Sequence, residues 1–255
     1  MKRSIVVTSW DDGDHQDLKL AEMLRKAGLA ATFYVPIFGP DGNRTLRSGD
    51  LRALVSEGFE VGAHTMTHPV LSELHGRELW IEVSDCKHVL EQILGREVQM
   101  FCYPCGRYNQ EVLETVREVG YRGARTTRML CHQNSFSAFE MPTTLQAYPH
   151  RSFTYYKNLG KRLDLPRLYK YVFELRRLQS WVELGKTLFD QALEEGGVWH
   201  LYGHSWEIQK FGLWEELQEV LDYVRDRPNV IYANNGQTLD ILEREAQPAE
   251  RLTVQ

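Results

Sequence analysis

Cysteine is scarce in this 255-residue chain, and the four residues Cys86, Cys102, Cys105 and Cys131 form no spacing of a disulfide framework. A zinc ribbon would need a second Cys-x-x-Cys beside Cys102-Tyr103-Pro104-Cys105, and there is none. Long apolar runs are missing too: nothing approaches the roughly 20 residues of a membrane span. The opening MKRSIVVTSWDD breaks its apolar run at Thr8 and meets two aspartates before a signal-peptide core could form, so a cytoplasmic location is expected. A basic excess is absent as well. The net charge of −5 gives no broad attraction to phosphate backbones, which argues against nucleic acid as the partner. The basic stretch KRLDLPRLYKYVFELRRL (161–178) alternates its cations with Leu, Tyr and Phe at helical spacing, and reads as a solvated amphipathic face before a binding patch. Internal repeats, low-complexity segments and Pro/Gly-rich linkers are all lacking, which points to one domain.

What is present is a 42% hydrophobic, 25% charged chain, the balance of a folded globular protein. Runs rich in β-branched and aromatic residues recur at 4–10, 31–36, 59–64, 98–104, 121–126, 139–144, 198–204 and 229–234, and read as strands. Helical periodicity fills the gaps between the earlier runs, and DLKLAEMLRKAG, DLRALVSEG, ELWIEVSDCKHVLEQILG and QEVLETVREVG each end in a glycine suited to a C-terminal cap. Repeated βα units predict an α/β fold, a closed or nearly closed barrel of parallel strands. Residues 151 to about 196, containing Pro166, look like two helices inserted before the seventh strand.

In parallel barrels the chemistry sits at the C-terminal ends of the strands. Those ends carry Asp11 and Asp12, then His64 and His68, then Tyr103-Pro104-Cys105-Gly106, then Arg125, then His204 with Trp206 and Glu207. Polar groups distant in sequence thus converge on one rim. The stretch HTMTH places two imidazoles four apart, where both can reach one ion, although such a pair alone is equally a surface or capping feature. With a carboxylate from the first strand the set becomes His-His-Asp with open positions, a catalytic rather than structural metal pattern. Two exposed acids at a turn would ordinarily be an N-cap and a solvated neighbour. Successive strand-end residues point in different directions, however, so one can ligate while the other serves as base.

With these residues in view the chain resembles the polysaccharide deacetylases of carbohydrate esterase family 4, over residues 4–127 and the strand at 198–206. Their T-F-D-D-G motif is similar to Thr8-Ser9-Trp10-Asp11-Asp12-Gly13, with one residue inserted and Trp for Phe, and their H-[S/T]-x-x-H motif matches His64-Thr65-Met66-Thr67-His68. The resemblance implies a distorted (β/α) barrel of about seven parallel strands over residues 1–246, with the helical insertion at about 151–196 and a C-terminal tail, 247–255, expected to be disordered. It also implies Asp11 as general base, and Asp12, His64 and His68 as ligands of a divalent ion, zinc first and cobalt, manganese or nickel as alternatives. His204 is implied as general acid, with Tyr202 where the family has leucine and His200 as the competing histidine. The expected reaction is hydrolysis of an N-acetyl group on an amino sugar or saccharide, releasing acetate.

The chain departs from the family at the R-x-P-Y motif, which reads Cys102-Tyr103-Pro104-Cys105. The backbone at Tyr103 or Cys105 can still supply an oxyanion N–H, but the arginine that orients the base is gone. Arg125, at the next strand end, is the candidate replacement; the alternative is a surface ion pair. The family's D-x-x-D-W motif has no counterpart, and Glu207 and Trp206 stand near His204 instead, Trp206 being either a sugar-stacking face or core. Three other readings remain distinct. CYPC as a redox dithiol is disfavoured by Cys102 lying within a strand. A carbohydrate-binding protein on a decayed scaffold would have lost some of the five polar residues. An amide or ester hydrolase acting on a non-glycan substrate would keep them all.

Overall fold

Strand β1 (Ser4–Asp11) is buried along its whole length, as a parallel strand covered on both faces must be. Its side chains alternate: Val6 and Trp10 pack into the large core shared with the helices, whereas Ile5 and Val7 face a small apolar cluster inside the barrel with Val198 and Ala233. Ser9 and Asp11 continue the inner row, so the barrel interior turns from apolar to polar towards the C-terminal ends of its strands.

The computed structural model describes residues 3–39, 45–160, 168–169, 171–176, 178 and 180–246. Among them β1 pairs with β2 (Ala31–Val35) along Thr8–Asp11, with β7 (Gly197–Gly203) along Ser4–Trp10, and with β8 (Val230–Tyr232) along Ser4–Val6. Its one edge is thus filled by β7 and the other is shared between β8 and β2. The sheet continues through β3 (Glu60–Ala63), β4 (Met100–Cys102) and β5 (Gly123–Arg125), and on the far side β6 (Leu145–Gln146) pairs with β7. The path of seven strands runs β5-β4-β3-β2-β1-β7-β6, with β8 joined to β1, and every pair is parallel.

Residues 141–147 close the gap between the two ends of that path. Met141 bridges Arg125 of β5, while the Thr144 and Ala147 amides donate to His200 and Tyr202 of β7. This corrects the strand expected at 139–144. Pro142 has no N–H to give a ladder and offers its carbonyl to His200 Nδ1 instead (3.0 Å), so the segment changes neighbour there and regular pairing begins only at Leu145. The result is the distorted (β/α) barrel expected from the sequence.

Helices α1 (Asp17–Lys26), α2 (Ser48–Ser56), α3 (Gly76–Leu94) and α4 (Gln110–Glu118) follow the first four strands. The insertion contributes α5 (Ser152–Gly160), a π-helical turn at Tyr171–Leu175 and α6 (Trp181–Glu195); α7 (Ser205–Phe211), α8 (Trp214–Val224) and α9 (Asn235–Ala246) complete the chain. The whole of 161–167, Pro166 included, and the tail at 247–255 lie outside the described residues. Among those described, no helix is long and apolar enough to cross a membrane.

Candidate active site

Asp11 and Asp12 diverge because the pleat ends between them. Asp11 is the last residue of β1 and points along the inner row, whereas Asp12 has a φ of 78°, a left-handed conformation that Asp tolerates better than most residues. Gly13 follows at φ 61°, and a Cβ there would lie 2.8 Å from Val35 Cγ1, so the turn admits glycine alone. That reversal carries Asp12 sideways to the loop after β3.

His64 leaves β3 buried, and its Nδ1 lies 2.8 Å from the Cys102 carbonyl. The carbonyl can only accept, so Nδ1 holds the proton and Nε2 offers its lone pair. Burial pushes His64 down to about 4, against the raising pull of Asp11 and Asp12 and with the help of His68, which keeps the ring neutral. His68 comes back towards it through a strained loop: Thr65 and His68 have φ of 74° and 58°, and Thr65 Oγ1 accepts from the His68 amide at 2.9 Å. A β-branched residue at positive φ is a genuine outlier. Asp12 Oδ1 then lies 3.7 Å from His64 Nε2 and 3.4 Å from His68 Nε2. This oxygen is buried and has no hydrogen-bond partner. A neutral imidazole with its second nitrogen anchored, a second imidazole and an orphaned carboxylate oxygen, with ligand atoms all within 4.8 Å of one another, fit a divalent ion.

Arg125 reaches Asp11. Its Nη2 donates to Asp11 Oδ1, with both side chains buried. The register explains how: Arg125 of β5 is the direct neighbour of Cys102 on β4, and the small thiol at the position where the family carries arginine leaves room for a guanidinium from one strand further on. Cys102 Sγ itself lies 3.9 Å from Asp11 Oδ2. Burial alone would raise the Asp11 carboxyl, but Arg125, with His64 and His204, outweighs it and holds the group below its ordinary value. Burial likewise works against charge on Arg125, and the Asp11 carboxylate overcomes it. The guanidinium also lies over the rings of Tyr202 (4.9 Å) and Tyr34 (5.4 Å).

His204 caps α7 just beyond β7 and faces the carboxylates, its Nε2 3.9 Å from both Asp11 Oδ2 and Asp12 Oδ2. Its Nδ1 is 2.6 Å from Glu207 Oε2. Burial works against its charge, but the hydrogen bond to Glu207 and the carboxylates of Asp11 and Asp12 prevail and push it up to about 9. His200 sits inside the strand, held by Ser9 Oγ (2.8 Å) and the Pro142 carbonyl; burial and Arg125 push it down to about 3. Trp206 turns its indole N–H onto Asp12 Oδ2 at 2.9 Å, so its polar edge orients a carboxylate of the His-His-Asp cluster. Tyr103 is buried, donates its hydroxyl to the Phe139 carbonyl (3.1 Å) and spends its amide on Arg125 O (3.4 Å). Cys105, exposed and at φ 56°, forms the following turn at the cavity wall.

These groups line a cavity of about 420 Å3. The insertion forms one wall, because His150, Thr154 and Asn158, spaced by four, all face it. Asn158 locks that wall to the loop after β5, accepting from the Met129 amide (3.0 Å) and donating to the Thr127 carbonyl (2.8 Å). Thr127 and Asn158 also border a second cavity of about 460 Å3 lined by Arg107, Tyr108, Arg128 and Glu140. Sequence reasoning missed Gln146 and His150 at the site, since neither belongs to a motif, and it met Tyr202 only as a substitution beside His204 without giving it a role.

The structure is thus a parallel (β/α) barrel with a His-His-Asp cluster and a carboxylate–histidine pair at its strand ends. The sequence profile described as polysaccharide deacetylase matches residues 1–124, so the N-terminal part of the chain is similar to that family. A chitooligosaccharide deacetylase of Azorhizobium caulinodans is 31% identical over 47% of this chain and 57% of its own length. The chain spans about half the length of the curated relatives it matches. A solved structure from Mycobacterium smegmatis shares the fold at a TM-score of 0.70 with 16% identity, covering 96% of this chain and 91% of that one. A family 4 acetyl xylan esterase from Clostridium thermocellum, solved in complex with a cobalt ion, shares it at 0.60 with 12% identity, covering 93% and 91%.

Proposed function

We propose that the protein is a metal-dependent hydrolase that removes an N-acetyl group from an amino sugar or saccharide, with residues 1–246 as the catalytic unit. The observation that carries the reading is the placement of the Asp11 carboxylate and the His204 imidazole 3.9 Å apart beside the Asp12-His64-His68 cluster. Asp12, His64 and His68 hold the ion, zinc in preference to cobalt, manganese or nickel. When bound, it supplies Lewis acidity to the acyl oxygen and to water.

Asp11 serves as base. Arg125 keeps it ionised, so it takes a proton from the attacking water as the new carbon–oxygen bond forms. His204 faces the same space charged and gives its Nε2 proton to the nitrogen as the carbon–nitrogen bond breaks, so the amine departs neutral and acetic acid remains, which gives up its proton to solvent and leaves as acetate. Asp11 then returns its proton to solvent and His204 takes one up, which restores both groups. The Cys105 amide, in the tight turn at the cavity wall, is the backbone donor for the tetrahedral oxyanion. Trp206 holds Asp12, and the wall of α5 meets the saccharide.

The test is acetate release from a panel of N-acetylated monosaccharides, oligosaccharides and nucleotide sugars, with and without a chelator. Turnover that a chelator abolishes and zinc restores is the expected result. Chelator-insensitive turnover would overturn the metal assignment, and a panel without acetate release would overturn the reading as a whole.

A further inference from the structure

The imidazole of His204 is held by one carboxylate oxygen, and that oxygen has a second holder. Gln146 lies on β6, in direct register with Tyr202 of β7, and is 7% exposed. Its Oε1 accepts from the Tyr202 hydroxyl at 2.9 Å and lies 2.8 Å from His150 Nε2. Its Nε2 lies 2.8 Å from Glu207 Oε2. The opposite amide orientation would set the Gln146 carbonyl oxygen against the Glu207 carboxylate, two acceptors with no proton between them, so only this orientation satisfies all three neighbours. Glu207 Oε2 therefore receives two N–H donors, from Gln146 and from His204 Nδ1 (2.6 Å).

We propose that Gln146 is a positioning residue for proton donation: it fixes the Glu207 carboxylate, and through it the plane of the His204 ring, so that Nε2 faces the departing nitrogen. This rests on the deacetylase reading above. Glu207 sits in the first turn of α7 at the rim, and among the described residues its carboxylate is hydrogen-bonded by these two nitrogens. Without Gln146 it keeps its bond to His204 but loses the anchor in the sheet, and the pair swings as one. His150 extends the chain of hydrogen bonds to a point two residues before α5, so the start of the insertion is linked to the same imidazole.

Leaving-group chemistry separates this role from general scaffolding. An amide must have its nitrogen protonated as it leaves, whereas a nitrophenyl ester expels a stable anion that needs no proton. Gln146→Met keeps the length of the side chain and removes both polar ends. The expected result is a loss of kcat of about tenfold to a hundredfold on the N-acetyl amide, with KM and zinc content near wild type and at least a tenfold smaller loss on nitrophenyl acetate. His204→Ala should give the same selective pattern, and the double variant should lose no more than His204→Ala alone. Equal losses on both substrates, or full additivity in the double variant, would overturn the proposal. Wild-type enzyme that cleaves neither substrate would instead overturn the deacetylase reading. Gln146→Glu gives a second variant of nearly unchanged shape should Gln146→Met fold poorly, and the same amide-selective loss is expected.

Discussion

The two halves of the barrel reach the same rim by different means. In the first, the base and the three candidate ligands come from two short stretches, Asp11-Asp12 and His64 to His68, whose spacing within each stretch fixes the geometry. In the second, the work is shared among residues far apart: Arg125 supports the proposed base from β5, which is no sheet neighbour of β1, and Glu207, Gln146, Tyr202 and His150 support the proposed acid. The lesson is that groups contacting one small ion tolerate little displacement, whereas a group that acts by holding another can be supplied from any strand whose side chain reaches.

The largest effect should come from breaking the first half. Asp11→Asn removes the base while preserving shape, and kcat/KM on the best N-acetylated substrate should fall about a thousandfold or more; a loss below tenfold would remove Asp11 from that role. Next is the support the second half lends it. Arg125→Leu leaves a buried carboxylate unpaired, which should cost about 3 to 5 kcal/mol in denaturant unfolding and lower activity about a hundredfold. Because Cys102 is the register neighbour of Arg125, adding Cys102→Arg should restore at least a tenth of the activity. No recovery would mean that the strand of origin matters as much as the charge.

Smaller effects test the acid side. Glu207→Gln neutralises the acceptor of the hydrogen bond that most raises His204, and should lower kcat about tenfold and move the basic limb of the pH profile downward from about 9. The sign follows from the raised value: a protonated donor is present below it and lost as pH climbs through it. The same shift makes His204 a contributor to stability that is complete below its ordinary value of 6.5 and gone above about 9, a difference visible in unfolding of wild type against His204→Ala across that window. The smallest change should follow Trp206→Phe, which leaves the ring and deletes the indole N–H on Asp12; zinc affinity should weaken about tenfold with the fold unaffected.

The same contrast governs what could be read in the sequence. Strand positions were legible because burial on both faces forces β-rich runs, and the expected C-cap glycines Gly28, Gly58, Gly95 and Gly120 all adopt positive φ. The convergence of Asp11, Asp12, His64, His68, Arg125 and His204 at one rim followed from strand ends alone. The closing segment was less legible, because Thr143 and Thr144 favour a strand while Pro142 redirects it. Gln146 was invisible, since its role depends on register with Tyr202 and on the reach of Glu207, neither of which leaves a spacing in the chain.

Four residues without the freedom of glycine, Asp12, Thr65, His68 and Cys105, hold left-handed backbone at the rim. Such conformations cost of order 1 to 3 kcal/mol each in non-glycine residues, and glycine would relieve them. The rim is therefore the part of this barrel where the geometry of the site is held against local backbone preference, and glycine there would ease the backbone while deleting the very side chains that meet at the site.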